Sequence, residues 1–119
     1  MASIRPQVAA AVARYVAALQ RQGIEVERVY LYGSQMRGTA GEVSDVDLIV
    51  VSPSFVGREP WERAEITGRA RFETFRSLGE SVEALAKTPE EVASRHPASF
   101  LADVLKDAEV VYERPSGGG

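Results

Sequence analysis

Cysteine is absent from this 119-residue chain and histidine occurs once, at position 96. Disulfides, thiolate zinc sites and cysteine nucleophiles are thereby excluded, as is a metal centre rich in imidazole. No apolar run approaches the ~20 residues that cross a bilayer. Residues 1–6 carry neither the basic start nor the apolar stretch of a signal peptide. A cytoplasmic protein with no membrane contact is expected. Positive charge is also short: 14 Lys and Arg stand against 17 Asp and Glu, for a net charge of −3. Proteins that grip nucleic acid through its phosphates usually carry a basic face, so no long nucleic acid is expected as a partner. What remains, 45% apolar and 26% charged residues, suits one domain able to bury its own core. That domain is expected over 1–114, with 115–119 (Pro-Ser-Gly-Gly-Gly) a disordered tail.

Along the chain the patterning alternates between helix and strand. Ile4, Val8, Ala11, Val12, Tyr15 and Leu19 recur at spacings of three and four up to Gly23, which predicts an amphipathic helix over about 3–22. Residues 26–32, rich in β-branched and aromatic side chains, predict a strand that ends at Gly33. A helical turn over 34–38 and a mobile loop over 39–43 lead to a second strand, about 45–51, whose unbroken apolar part implies cover on both faces. From Pro60 to Leu78 the positions Trp61, Ala64, Gly68, Phe72, Phe75 and Leu78 form an apolar stripe, with the charged residues expected on a solvated face and Gly79 as the stop. A third strand is predicted over 81–86, a short helix capped at Thr88, another begun at Pro97, and a last strand over 109–113. The order indicates an α+β (α/β-like) domain around one small sheet flanked by helices; strand order and direction stay open.

Two features carry chemistry. Side chains two apart on a strand share a face, with Cα atoms about 6.5 to 7 Å apart. Asp45 and Asp47 therefore converge on one small volume. Carboxylates so placed repel one another unless a cation lies between them, and oxygen-only ligation selects Mg²⁺ or Mn²⁺. Two exposed aspartates in a turn are the alternative, which Asp-x-Asp alone leaves open. The second feature is Gly33-Ser34 at a strand end: glycine allows close backbone approach, and serine at the start of a helical turn offers a hydroxyl and free N–H groups to an anion. Arg37 adds a guanidinium suited to the same phosphates.

Gly33-Ser34, ten intervening residues and Asp45-x-Asp47, with Arg37-Gly38 between and an aliphatic strand after, resemble the signature of the DNA polymerase beta superfamily of nucleotidyltransferases. The compact size resembles its minimal nucleotidyltransferase branch. The resemblance implies a small mixed sheet flanked by helices. It also implies a third acid on the following strand, for which Glu83 is the matching residue, although the family usually has aspartate there; a salt bridge from Glu83 to an arginine of the long helix is the competing reading. By the same resemblance, Gly33, Ser34 and Arg37 bind the nucleotide, Asp45, Asp47 and Glu83 are catalytic and ligate Mg²⁺ (or Mn²⁺), and the donor is ATP or another nucleoside triphosphate. Minimal members are often paired with a HEPN-domain protein in toxin–antitoxin systems, where they transfer AMP to the toxin. An antitoxin acting on such a partner is therefore the leading expectation. A non-catalytic module that neutralises by occlusion, and a homodimer acting on a small molecule, are the alternatives.

Overall fold

Proline at the first helical position and the three-four spacing of apolar residues place α1 over Pro6–Arg21. The structure, a computed structural model, describes residues 4–33 and 45–115. Beyond α1 it contains β1 (Arg28–Tyr32), β2 (Val46–Val51), a 3₁₀ turn (Pro53–Phe55), α2 (Pro60–Leu78), β3 (Val82–Lys87), α3 (Pro89–Ala93), α4 (Phe100–Leu105) and β4 (Glu109–Glu113). The turn expected over 34–38, the loop over 39–43 and most of the expected tail lie outside the described residues. Among the described residues no helix is long and apolar enough to cross a membrane.

The four strands form one mixed sheet in the order β3-β2-β1-β4. β1 runs antiparallel to both β2 and β4, and β2 runs parallel to β3. The α+β expectation is met, and strand order, which sequence left open, places β2 inside the sheet. β2 is buried almost throughout, whereas β1, equally interior, alternates. Alternation along the strands sends Val29, Leu31, Val46, Leu48, Val50 and Val82 into one core with Val8, Ala11, Val12, Tyr15 and Leu19 of α1. Each such fully buried aliphatic chain contributes roughly 1.5–3 kcal/mol. Tyr15, fully buried, donates its hydroxyl to the Thr67 carbonyl at 3.3 Å, so its polar atom is not left unpaired.

α2 begins and ends where the sequence places it, but with the opposite face inward. Its buried residues are Ile66, Ala70 and Thr74, while Trp61, Phe72, Phe75 and Leu78 are exposed. The helix lies against α1 and β3, and the small side chains of Ala70 and Thr74 let the backbones approach. Thr74 is buried without an unmet hydroxyl because it donates to the Ala70 carbonyl at 2.8 Å. Smaller differences occur near the end of the chain. Thr88 and Glu91 form the expected capping box of α3, whereas α4 starts at Phe100 rather than at Pro97, because the Ser99 hydroxyl accepts from the Ala102 N–H at 3.0 Å and caps it. His96 lies in the turn before it, its Nδ1 accepting from the Ala98 N–H.

Candidate active site

The face of the sheet opposite α1 carries the charged residues, and strand register brings them together. Tyr32, the last residue of β1, stands opposite Asp47 on β2, and Asp47 stands beside Glu83 on β3. Registered residues on adjacent strands project from the same face, so Tyr32, Asp47 and Glu83 form one row. Asp45, two residues before Asp47, shares that face. The Val46 N–H donates to the Ser81 carbonyl at 2.8 Å, tying the start of β2 to the start of β3.

Gly33 follows Tyr32 directly, with φ of +81°. A β-carbon there would stand 2.7 Å from Oδ2 of Asp47, closer than carbon and oxygen can approach without one moving. Only glycine lets the Asp47 carboxylate lie against this turn.

Negative charge accumulates on the row. Burial, then the charges of Asp45 and of Glu83, raise the Asp47 carboxyl above its ordinary value. Burial, then Asp47 and Glu83, raise the Tyr32 hydroxyl in the same way. A counter-charge comes from α2: Arg71 donates to Glu83 at 2.9 Å and to the Ser81 hydroxyl at 2.9 Å, and lies 3.8 Å from Asp45. Glu83 is exposed on its edge strand and ion-paired. At the sheet edge its charge is open to solvent. The salt-bridge reading of Glu83 is the arrangement found.

The donor set fits a hard divalent cation in part. Asp45 and Asp47 offer only oxygen, and Asp47 has no ion-pair partner among the described residues to offset the charges that raise it. A cation would relieve that repulsion. Glu83 joins such a pair only by leaving Arg71, and among the described residues no three acidic or imidazole side chains are gathered closely enough to hold one ion. Of the residues singled out in the sequence, Gly33, Asp45, Asp47 and Glu83 thus come to the end of the sheet where β1 finishes and β2 and β3 begin; Ser34 and Arg37 lie outside the described residues. Two members were not anticipated. Tyr32 was legible as the residue before Gly33 but needed the β1–β2 register to face Asp47, and Arg71 was one of several arginines on α2 until the packing of that helix selected it.

Comparisons with known proteins show the family and the fold. A family model described as the nucleotidyltransferase domain matches residues 12–109. A Methanocaldococcus jannaschii protein assigned as a protein adenylyltransferase is 25% identical over 95 residues, 80% of this chain and 64% of that protein, so the chain spans a little under two thirds of the relative's length. A Sulfolobus solfataricus protein assigned as a nucleotidyltransferase superimposes with a TM-score of 0.55 at 18% identity, covering 98% of this chain and 96% of that one. A toxin–antitoxin structure with AMP-PNP superimposes with a TM-score of 0.55 at 20% identity, over 85% of this chain and 73% of that one. The toxin–antitoxin assembly MntA–HpeT, in a mutant form, gives 0.51 at 16% identity, over 84% and 71%. These structural likenesses show a shared fold.

Proposed function

Because the chain belongs to the nucleotidyltransferase domain family, we propose that it is a transferase that moves AMP from ATP, with Mg²⁺, to a hydroxyl of a HEPN-domain partner protein, as the antitoxin of a toxin–antitoxin pair. The observation that carries this reading is the Asp47 carboxylate seated against Gly33, where the charges of Asp45 and Glu83 help to raise it. The protein adenylyltransferase assignment of the archaeal relative and the toxin–antitoxin setting of two structural neighbours, one with AMP-PNP, support the choice of donor and partner.

In this reading Gly33 lets the triphosphate approach the backbone, while the Ser34 hydroxyl, the adjoining N–H groups and Arg37 hold its β- and γ-phosphates. Asp45 and Asp47 would hold the divalent cation, Mg²⁺ or Mn²⁺, and Glu83 would be a third carboxylate if freed from Arg71. The bound metal supplies charge neutralisation at the phosphates and a lowered pKa for the acceptor hydroxyl. Glu83, on the exposed strand edge, would take the acceptor's proton once freed from Arg71. The acceptor oxygen forms its bond to the α-phosphorus as the bond to the bridging oxygen breaks, and pyrophosphate leaves.

The test is to mix the protein with its HEPN-domain partner, ATP and Mg²⁺ and to weigh the partner intact. Whole AMP increments are expected, and they disappear in Asp45→Asn with Asp47→Asn. An unmodified partner that is nonetheless neutralised would overturn the reading. One observation favours a second reading, neutralisation by occlusion without catalysis: Arg71 already holds Glu83. That reading requires neutralisation to survive loss of both aspartates and to need no nucleotide. A small-molecule acceptor is the third possibility, marked by nucleotidylated product in the absence of any partner protein.

A further inference from the structure

Trp61, Phe72 and Phe75 of α2 are 64%, 66% and 57% exposed, and Leu78 is exposed beside them. With Ala64 and Gly68 they form a continuous apolar line along the helix, about 25 Å long at 1.5 Å per residue. A contiguous exposed aromatic stripe marks an interaction surface far more often than bare solvent. Gly68 lies in the middle of this exposed line, where glycine is worth roughly 1 kcal/mol less than alanine. A β-carbon at that position would meet nothing within 4 Å, and a shallow cavity of about 570 Å³ lies over it, lined by Glu65, Gly68, Arg69, Phe72, Glu73 and Arg76. Among the described residues nothing requires glycine here, whereas close approach of another helix would.

The pattern identifies that helix, because it is complementary to its own reverse. About Ala70, the notch at Gly68 and the knob of Phe72 lie two residues either side. Ala64 and Phe75, Trp61 and Leu78, and Glu65 and Arg76 are likewise symmetric to within one residue. In an antiparallel pair of helices related by a two-fold axis, each flank faces the same flank of its copy. Glu65 then meets Arg76 of the second copy, and Arg76 meets its Glu65. Glu65 and Arg76 have no ion-pair partner among the described residues, whereas Glu73, on the same side, is paired with Arg21. We propose that the α2 face is the interface of a homodimer in which two copies of this chain pack α2 antiparallel, with Phe72 of each seated over Gly68 of the other. Gly68 also lines the groove that runs past Thr67 and Arg71 to Glu83, so the second copy borders the approach to the acidic row. The proposal stands independently of which acceptor the site uses.

Sedimentation equilibrium tests it. The protein is expected to run as a dimer. Phe72→Glu, at an exposed position, is expected to give a monomer with the parent's circular dichroism. Gly68→Leu separates this packing from general stickiness, since it adds apolar surface but fills the notch; loosened association is expected, and tightened association would overturn the proposal. Glu65→Arg and Arg76→Glu are each expected to weaken the dimer at least tenfold, and the two together to restore it. A parent that sediments as a monomer at every concentration, or a dimer that survives Phe72→Glu, overturns the proposal, as does failure of the double charge reversal to restore what each single one loses.

Discussion

Gly33 holds φ at +81°, and a β-carbon there would stand 2.7 Å from the Asp47 carboxylate. Alanine at this position is expected to cost about 1–2 kcal/mol for the left-handed backbone alone and also to swing Asp47 off the row. At Gly57, with φ of +76° and open space around it, alanine should cost only the backbone part. Urea unfolding of both variants, with metal titration of the Gly33→Ala protein, checks the difference; equal losses with unchanged metal affinity would count against a role for Gly33 in seating Asp47. Asp47 itself has a carboxyl raised above 3.8 in the folded state by burial and by Asp45 and Glu83. A raised carboxyl favours folding while protonated in both states, below about 3.8, and that contribution is lost as pH rises through the folded value. Asp47→Asn is therefore expected to be more stable than the parent at pH 7 in metal-free buffer, the gain vanishing towards pH 3. A loss of stability at pH 7 would show that the carboxylate has a favourable partner.

At the scale of elements, Arg63 joins three of them. One guanidinium nitrogen donates to the Ala86 carbonyl at 3.0 Å and to Glu91 at 2.8 Å, another donates to the Phe55 carbonyl at 3.0 Å, and the group lies 5.9 Å from the Phe55 ring centre. It ties α2 to the end of β3, to the cap of α3 and to the 3₁₀ turn. Burial works against ionisation of Glu91, but its bonds to Arg63 and to the Thr88 N–H outweigh that and lower its carboxyl. Arg63→Ala is expected to cost about 1–3 kcal/mol in chemical denaturation, because it leaves buried carbonyls without donors; Arg63→Lys should recover only part, since an ammonium cannot span these acceptors at once. A loss below ~0.5 kcal/mol would show that water replaces the guanidinium. The same helix illustrates how an element can be located correctly and oriented wrongly. Its ends at Pro60 and Leu78 follow from local chemistry, whereas its inward face depends on the fit of Ala70 and Thr74 against neighbouring backbones, which hydrophobicity does not report.

For the whole molecule, placing like charges on one sheet face costs stability that a bound cation would return. Mg²⁺ held by Asp45 and Asp47 is expected to raise the melting temperature in a concentration-dependent way, by the equivalent of about 2.7 kcal/mol at a hundredfold excess over Kd. The shift should vanish on chelation and in Asp45→Asn with Asp47→Asn. A shift that persists in the double variant would place the cation elsewhere.

Much of this was legible in the residues themselves. Element types and most boundaries came from capping, glycine and periodicity, all of which act within a few positions along the chain. Asp45 and Asp47 could be read as a pair for the same reason, since side chains two apart need no further folding to share a face, while nucleotidyl transfer came from the resemblance of Gly33-Ser34 and Asp45-x-Asp47 to a family signature. Burial, register and pairing were decided only by the tertiary structure. The strand order β3-β2-β1-β4 set Tyr32 and Glu83 on either side of Asp47, opened Glu83 to solvent at the sheet edge, and gave it Arg71 as a partner. Packing of α2 against α1 and β3 through Ile66, Ala70 and Thr74 turned its aromatic line outward. Those outcomes depend on contacts between residues far apart in the chain, whose geometry no local pattern encodes.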